Sequence, residues 1–547
     1  MKTFFVDCYT NNLQQSQKID KFLALLDKSG VCDLLNNEIK KKEKDETKGG
    51  RPQVNPYNML SVILFNFAFN KATVRDIEDK IKNDLRCIYM MQGDYPTHMT
   101  ISNFINDYIV SNQEEIFSLI TKAIFDECGL TMDNMYIDGS KFEANANKYK
   151  FVWKPTTFHN KLSDKIRILL KEYDLSRGVN SEGIIGSKTI AIKISEFNKL
   201  IRDLDTSSKE NKHYKKSYDL LVEYLKKSLE YEEKERICGP NRNSYYKTDK
   251  DATAMCLKAD YYSGLGSNMH AAYNTQISVV NGLISAYLVT QSRSDVNDFT
   301  LLLDKHYKFY NRYPKKLCAD SGYGSLANYR YLYNNNIKNF VKYFSWQGNV
   351  SAKNPSQYHL NDDETITCLN GNIGHKIDLN WHHRKAESTF YRVDGCTNCP
   401  FSIYCKRYMK EKTEDFKIFE VIVELQKFIQ QAEVNLLSIE GIEMRVNRSS
   451  QAEGAFGVIK QDIQYERFRR RSLNKVSTEF MLVCLGYNIR KLFRFFEGRA
   501  KFEYWKAPSN IEVEKFKTPS AKRLSKKASK LKEKSINQEA KSKYKYK

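Results

Sequence analysis

The stretch NMYIDGSKFEANANKY, residues 134–149, decides the fold class. Apolar and polar residues alternate along it, directly after a series of amphipathic helices, and alternation is the pattern of a half-buried β-strand. Asp138 and Gly139 form a dipeptide typical of turns, so the strand is predicted to end at Asp138. The α/β part of the chain therefore begins with a strand that closes on a carboxylate.

Strand signals return downstream. HAAYNTQISVV and LISAYLVTQ flank Asn281-Gly282, a dipeptide typical of two-residue β-hairpins. A helix follows, and then the short strand KKLCAD, which ends at Asp320. Another helix and the strand KNFVKYF come next, and a later helical stretch carries Glu453. The order strand, hairpin, helix, strand, helix, strand, helix predicts a ribonuclease-H-like α/β core with helices on a mixed sheet.

Helices with apolar stripes precede this core. One is predicted from Pro56, a second begins after the N-cap residue Thr73, and a third opens at Pro96 and Thr97. Three short helices joined by tight turns suit a helix-turn-helix-like DNA-binding module, although any small helical bundle would give the same pattern.

Composition shifts divide the chain into seven segments. The predicted boundaries are an all-α N-terminal DNA-binding domain at 1–130, the first part of the core at 131–155, a helical insertion at 156–247, the core continued at 248–344, a cysteine-rich zinc insertion at 345–406, C-terminal core helices at 407–500 and a basic tail at 501–547, expected to be disordered.

The charge balance narrows the class of partner. The chain has 88 Lys and Arg against 66 Asp and Glu, a net charge of +22. This surplus favours nucleic acid or an anionic membrane, although a lysine-biased proteome would also produce it. The longest apolar run, at 62–69, is far shorter than the roughly 18 residues of a membrane span. Without a visible signal sequence, a cytoplasmic protein without membrane association is expected.

Two aspartates stand where two-metal phosphoryl transfer would need them. Such chemistry requires carboxylates that converge on two ions about 4 Å apart. In an open α/β sheet these groups sit at the carboxyl ends of neighbouring strands, where Asp138 and Asp320 are predicted to lie. Aspartate before glycine is also ordinary turn chemistry, so neither residue is decisive alone.

A cysteine cluster predicts a second kind of metal site. Cys396, Cys399 and Cys405 have the spacing of a metal knuckle, and Cys368 can supply a fourth thiolate for one structural Zn²⁺. Cysteines of a cytosolic chain are mostly reduced, which favours metal binding over disulfides. Unrelated reduced cysteines are the alternative to a site. Alternative fourth ligands are His375, His382 and His383.

Four motifs in a fixed order resemble one family. They are YIDGSKFEANANKYKFVW (136–153), TDKDA (248–252), ADSGYGS (319–325) and EGAFGVIK (453–460). With the cysteine cluster, they resemble the DDE transposases of bacterial insertion sequences, and the branch called eleven-eighty-two in particular. The resemblance runs from about Pro56 to Phe496, nearly all of the expected folded chain.

The resemblance implies a catalytic triad of Asp138, Asp320 and Glu453 that holds two Mg²⁺ or Mn²⁺ ions. Lys460 lies seven residues after Glu453, on the same helical face, and is implied to approach the DNA end. Family members usually carry an arginine three or four residues before the glutamate. Arg448 has four intervening residues rather than three, which leaves its role open.

Other residues have alternative interpretations. Asp462, on the helical face about 180° from Glu453, is the alternative third carboxylate, and Glu143 is the alternative near the first. Asp249 and Asp251 belong to the family pattern and are interpreted as supporting residues, with direct metal binding as the alternative.

Basic and aromatic residues near the motifs are candidates for DNA contact. The arginine run after Glu453 is predicted to bind phosphates, although charge runs are often only solvated surface. This run comprises Arg467, Arg469, Arg470 and Arg471. Trp153 and Tyr149 could stack on a flipped base, with core packing as the alternative.

Three functions are compatible with these features. The first is a transposase that acts on double-stranded DNA, both the terminal inverted repeats of its element and the target, as a homodimer or larger assembly. The second is a metal-dependent nuclease on the same fold. The third is a non-catalytic, transposase-derived DNA-binding protein, against which the presence of all three carboxylates argues.

Overall fold

The computed structural model describes residues 13–40, 54–70, 73–202, 209–258, 260, 263–264, 268–344, 346, 358–379, 387–406, 409, 413–500, 502 and 505–508. Within these ranges, no helix combines the length and apolar character that a membrane crossing requires.

Helices surround the sheets. They are α1 (Leu13–Lys28), α2 (Val31–Lys40), α3 (Pro56–Phe69), α4 (Val74–Asn83), α5 (Leu85–Met91), α6 (His98–Phe104), α7 (Val110–Glu127), α8 (Thr156–Glu172), α9 (Ser187–Arg202), α10 (Lys209–Cys238), α11 (Asp298–Tyr310), α12 (Leu326–Asn334), α13 (Ser402–Cys405), α14 (Val423–Leu437), α15 (Ile439–Arg448), α16 (Gly454–Gly457) and α17 (Leu473–Phe496). Turns of π-helix lie at Ile105–Ile109, Ser449–Glu453 and Val458–Asp462, and a 3-10 turn at Ser321–Tyr323.

The strands form a central sheet, a peripheral sheet and a two-stranded ribbon. They are β1 (Asn134–Glu143), β2 (Phe151–Trp153), β3 (Ser244–Tyr246), β4 (Thr253–Met255), β5 (His270–Val280), β6 (Leu283–Thr290), β7 (Lys316–Ala319), β8 (Lys338–Val341), β9 (Tyr358–Leu360), β10 (Ile366–Cys368), β11 (Ile373–Ile377), β12 (Thr389–Asp394) and β13 (Phe416–Val421).

The central sheet has six strands and is mixed. A mixed sheet is what the sequence predicts. β1 lies in its middle, antiparallel to β5 and parallel to β7, and β8 extends the parallel side. β4 and β6 both pair with β5 along its other edge. β5 and β6 form the predicted hairpin, in which Asn281 and Gly282 both have positive φ, 51° and 74°, as a type I′ turn requires.

The prediction that β1 ends at Asp138 is wrong. The strand continues to Glu143, and Asp138 pairs with Ile277 inside the β1–β5 ladder. Gly139 stands opposite Gln276, and a Cβ at Gly139 would lie 2.5 Å from Oε1 of that glutamine. Glycine is therefore needed for the close approach of a neighbouring side chain, and not for a turn.

The N-terminal helices begin where the sequence predicts. α3 starts at Pro56, Thr73 and Asp76 form a capping box at α4, and Thr97 caps α6. α5, which lies between α4 and α6, is not predicted from the sequence.

These helices share a core with the sheet. α3 is buried on nearly all sides and packs against α17, which also packs on β6. The two helices approach closely at Gly486, where a Cβ would lie 2.5 Å from the carbonyl oxygen of Phe67. One hydrophobic cluster consequently extends from Ile19 through Ile137 to Phe493.

The predicted helical insertion has its own core. α8, α9 and α10 pack around Ile166, Phe197 and Leu221. β2 and β3 pair at its base, where the chain leaves and re-enters the central unit.

The cysteine-rich insertion extends beyond its predicted boundary at residue 406. It contains a five-stranded antiparallel sheet, in the order β13-β12-β11-β10-β9, and the last strand ends at Val421. Ile366, Tyr391 and Val421 belong to a small core of its own. The sequence hides these strands because each has only three to six residues and polar turns separate them.

Candidate active site

Two of the predicted carboxylates lie at one edge of the parallel strands. β1 and β7 pair Tyr136 with Cys318, two positions before Asp138 and Asp320. Asp320 directly follows β7, and Asp138 occupies the matching position within β1. The strand register therefore makes the two aspartates neighbours.

A helix supplies the third carboxylate. α15 ends at Arg448, and the π-helical turn Ser449–Glu453 follows it. Because hydrogen bonds in a π turn join residues five apart, such residues lie on one face. Arg448 and Glu453 are five apart, and their side chains meet. The π turn thus accommodates the extra residue that departs from the family spacing.

The three carboxylates surround the Arg448 guanidinium. Nη2 donates to Glu453 Oε1 at 2.6 Å and lies 3.9 Å from Asp320 Oδ2, while Nη1 donates to Asp138 Oδ1 at 3.3 Å. Arg448 is 4% exposed. A buried cation therefore occupies the point on which the three acidic groups converge.

Burial and neighbouring charges shift the pKa values of Asp138 and Asp320 in opposite directions. Burial raises the pKa of Asp138 to about 6; Arg448 opposes the rise, and Glu453 and Asp320 add to it. Burial also acts to raise the pKa of Asp320, but Lys342 and Arg448 outweigh it, so that pKa is lowered. Lys342 Nζ lies 3.2 Å from Asp320 Oδ1.

Lys342 is a site residue that motif analysis misses. β7 and β8 pair Ala319 with Val341, so the next residues, Asp320 and Lys342, are neighbours. The signal was present in the strand KNFVKYF, but using it requires the register of two strands.

The alternative carboxylates have other partners. Glu143 is an odd number of residues from Asp138 in β1, so it lies on the opposite face, where its Oε1 is 3.9 Å from His270 Nδ1. Asp462 pairs with Arg490 at 3.7 Å.

Lys460 lies beside the first strand. Its Nζ donates to Ser140 Oγ at 2.6 Å and is 4.6 Å from the Phe142 ring centroid. Ser140 and Phe142 share a face of β1 with Asp138. Burial and the charge of Lys258 lower the pKa of Lys460. Its contact with DNA stays a prediction.

The four predicted phosphate-binding arginines differ in environment. Arg467 and Arg471 are exposed, and the Nε atom of each donates to a backbone carbonyl of the segment after β1. Arg470 is partly buried, and its Nη1 donates to Asn106 Oδ1 at 2.8 Å. Arg469 is also partly buried.

The aromatic residues after β1 lie on the surface. Trp153 is 58% exposed and Tyr149 is 79% exposed, so the alternative of core packing is wrong. Trp153 contacts Phe151 edge-on at 5.5 Å. Exposed aromatic rings are the groups on which bases stack, and this role stays a prediction.

Asp249 and Asp251 lie at the start of α17. Asp251 Oδ2 accepts a hydrogen bond from the Leu473 N–H at 2.8 Å, and Asp249 Oδ1 accepts one from the Ser472 N–H at 3.2 Å. Asp249 also accepts one from the Tyr273 hydroxyl. These contacts fix the helix that joins the sheet to the N-terminal helices, which favours the supporting role.

The four predicted cysteine ligands line one small pocket. Its walls include Cys368, Cys396, Cys399 and Cys405, together with Lys406, Lys417 and Phe419. Both lysines are less than 5% exposed. Burial raises the pKa of Cys396, Cys399 and Cys405 above the usual value of a thiol. His375 is exposed on β11 and does not line the pocket, and His382 and His383 lie outside the described residues.

The donor chemistry of the two clusters differs. Carboxylate oxygens suit Mg²⁺ or Mn²⁺, whereas thiolates suit Zn²⁺. In the part of the chain that the structure describes, no three His, Cys, Asp or Glu side chains already stand in metal-binding geometry. In the carboxylate cluster, the Arg448 guanidinium lies among the oxygens that would ligate an ion. The donor sets fit these ions, and ligation requires side chains to move.

Comparison with known families gives two matches. Residues 367–493 match the family described as "Transposase DDE domain", and residues 8–107 match "Transposase domain (DUF772)". Together they support a DDE-type transposase. The first match contains Glu453 and the four cysteines, and neither match contains Asp138 or Asp320. No curated protein and no solved structure gives a significant match.

Proposed function

We propose that the protein is a DDE transposase that cuts DNA at the ends of an insertion sequence and joins the 3′-hydroxyls to a target. The observation that carries the proposal is the convergence of Asp138, Asp320 and Glu453 on one guanidinium. The three come from a strand, a loop and a helix far apart in the chain. Because like charges repel, gathering them costs stability, and such clusters are typical of functional sites.

The fold supports this assignment. A ribonuclease-H-like core needs a first strand between an antiparallel hairpin and parallel strands, and β1 lies between β5–β6 and β7–β8 in this way. In such a core, one catalytic carboxylate belongs on the first strand, one directly after the fourth core strand (here β7) and one on a later helix. Asp138, Asp320 and Glu453 have these positions.

The chain's own residues orient the reaction. Asp138, Asp320 and Glu453 would hold Mg²⁺ or Mn²⁺, which when bound activates the attacking oxygen and stabilises the leaving oxygen. Lys460 is placed beside Asp138 to bind a phosphate of the scissile strand, since its ammonium is a compact point charge. Water, and then a DNA hydroxyl, serves as the nucleophile.

Replacing each triad residue tests the proposal. Asp138→Asn, Asp320→Asn and Glu453→Gln are each expected to abolish cleavage of DNA that carries the inverted repeats flanking the gene, with DNA binding retained. The losses should be severe and non-additive, because the ligands act together. Glu143→Gln, on the same strand as Asp138, and Asp462→Asn, in the π turn Val458–Asp462 that follows Glu453 in the chain, are matched controls and should remain active. Near-normal cleavage by Glu453→Gln would contradict the triad.

A strand-transfer assay separates the proposal from the nuclease alternative. Both enzymes would cut the element ends, but only a transposase joins the 3′ ends to a second duplex. The two transposase-family matches favour joining. Because two DNA ends must be paired, the active complex contains at least two copies of the chain.

The cysteine pocket is assigned to one structural Zn²⁺, held by Cys368, Cys396, Cys399 and Cys405. A set of four thiolates around Zn²⁺ carries two net negative charges, and the buried Lys406 and Lys417 beside it supply two positive ones. The two ammonium groups also donate to backbone carbonyls of the same insertion, Lys406 to Glu414 and Lys417 to Cys405, which holds their charges beside the cysteines.

Elemental analysis tests the zinc assignment. Protein purified without added metal should contain one Zn²⁺ per chain, and a Cys396→Ser, Cys399→Ser double variant should contain almost none. Cys256→Ser, at a partly buried cysteine outside the pocket, is the control. Zinc near zero in the wild type would overturn the assignment.

A further inference from the structure

We propose that Arg448 is an internal counter-ion that holds the three carboxylates together before metal arrives and competes with the metal for them. The inference rests on the proposed function, since it concerns the same triad. The sequence motif leaves the role of Arg448 open. The inference makes it a positioning residue, which holds the carboxylates in place in the metal-free protein.

Arg448 has the position and burial of a substitute cation. Its two terminal nitrogens reach all three carboxylates, from 2.6 Å at Glu453 to 3.9 Å at Asp320. A guanidinium is permanently charged and has several donors in a fixed plane, so one group can satisfy oxygens from three directions. The Arg448 side chain is 5% exposed, whereas the three carboxylates are 22–48% exposed, so the guanidinium lies on the buried side of the cluster.

The geometry makes the guanidinium and a metal ion competitors. Mg²⁺ would approach the same carboxylate oxygens to about 2.1 Å. A guanidinium left among those oxygens would lie within a few ångströms of a divalent ion, and the two like charges would repel strongly in a partly buried site. Metal binding therefore requires Arg448 to withdraw from at least part of the cluster.

Lys342 provides the comparison within the same site. It contacts Asp320 alone, at 3.2 Å, from the edge of the cluster. Removing its charge changes the local field without vacating the centre. A difference in Mn²⁺ affinity between variants at Arg448 and at Lys342 therefore reports the effect of the central position of Arg448 and not of its charge alone.

DNA would supply the withdrawn guanidinium with a new partner. A phosphate accepts two parallel hydrogen bonds from an arginine in the same way as a carboxylate does. DNA and metal should then assist each other's binding through Arg448, because each removes an obstacle to the other. The enzyme would load its metal preferentially when DNA is present.

The inference is tested by titrating the full-length protein with Mn²⁺ and measuring the free Mn²⁺ by electron paramagnetic resonance. Without DNA, Arg448→Gln is expected to bind Mn²⁺ roughly tenfold more tightly than the wild type, within the usual range for coupled sites. Lys342→Gln should change the affinity by a clearly smaller factor. Thermal unfolding in chelator should show Arg448→Gln less stable than the wild type, and Mn²⁺ should restore the loss.

Adding a DNA duplex completes the test. Wild-type affinity for Mn²⁺ should rise with DNA, and Arg448→Gln should lose most of that rise. Unchanged or weaker Mn²⁺ affinity in Arg448→Gln, or an effect equal to that of Lys342→Gln, overturns the inference. If Arg448→Gln does not fold, Arg448→Lys, which keeps the charge but cannot bridge all three groups, should show the same changes in smaller measure.

An Asp138→Asn arm separates this inference from the proposed function. If Asp138→Asn binds Mn²⁺ as well as the wild type does, the metal site itself is wrong. If Asp138→Asn loses Mn²⁺ while Arg448→Gln matches the wild type, the metal site stands and only the competition is wrong.

Discussion

The buried carboxyl of Asp138 links stability to pH. Burial raises its pKa to about 6, so the folded protein holds this proton more tightly than the unfolded chain, whose pKa is about 3.9. The stabilisation is fully present below about pH 4 and is lost as pH rises through 6. In chelator, the free energy of unfolding of Asp138→Asn relative to that of the wild type should therefore rise by up to about 3 kcal/mol between pH 4 and pH 8.

Urea unfolding across this pH range measures the difference. Asp462→Asn, at an exposed carboxylate, is the control and should show no such trend. A difference between Asp138→Asn and wild type that is independent of pH would contradict the assigned shift. A measured gain would indicate that Asp138 is retained for function and not for stability.

Gly139 tests how closely the sheet is fitted around the site. A methyl group there would overlap the Gln276 side chain, whose oxygen accepts from Tyr323 and whose nitrogen donates to Asp295. Gly139→Ala should destabilise the fold by roughly 1–3 kcal/mol and slow cleavage by displacing Asp138. Gly454→Ala, next to Glu453 but with open space, is the control and should be neutral.

A double variant identifies the cause. Gln276→Ala removes the overlapping atoms, so Gly139→Ala should cost less in that background than in the wild type. Equal costs in the two backgrounds, measured by chemical unfolding, would show that the strain lies elsewhere.

Among the elements, the π turn at Ser449–Glu453 is the one that sets the site's geometry. Such turns arise when one residue is added to an α-helix, and removing it restores the regular pattern. Deleting Ser450, which is exposed, would place Arg448 and Glu453 four apart, still on one face. The deletion should therefore retain the fold and much of the cleavage activity.

Inserting one alanine after Ser450 is the opposite change. It would rotate Glu453 by about 100° relative to Arg448, which should abolish cleavage. Circular dichroism and cleavage of both variants decide the matter. Equal loss of activity in the deletion and the insertion would contradict the role given to the π turn.

Elements with strong local signals could be predicted from the sequence, and those defined by tertiary register could not. α3, α7, α17 and the hairpin at Asn281-Gly282 have periodicity or turn residues that a short window reveals. The strands β9–β13 are too short to do so. Lys342 and Gln276 join the site only through pairing with β7 and β1, and the central place of Arg448 depends on one π turn.

At the scale of the molecule, the net positive charge is distributed unevenly along the sequence. Residues 56–130 contain 6 Lys and Arg against 10 Asp and Glu, while residues 509–547 contain 13 against 4. Because α3 is buried against α17, an isolated fragment 1–130 would expose a large apolar surface. Sequence recognition by these helices is therefore better tested in the full chain, where DNA affinity and specificity can be measured separately.

The basic tail should supply nonspecific affinity. A chain that ends at Pro508 keeps the contacts of Trp505 with Asn447 and of Ala507 with Glu443, so the folded part should be unaffected. It loses a net charge of +9, and the slope of log affinity for DNA against log salt should become shallower by up to about 8. Cleavage at low salt should persist, because the triad is intact.

A full-length chain with the tail lysines changed to glutamine is the matched control and should behave like the truncation. If both variants keep the wild-type slope, the DNA contacts lie within the folded chain, and Arg467, Arg471 and Lys460 become the residues to replace.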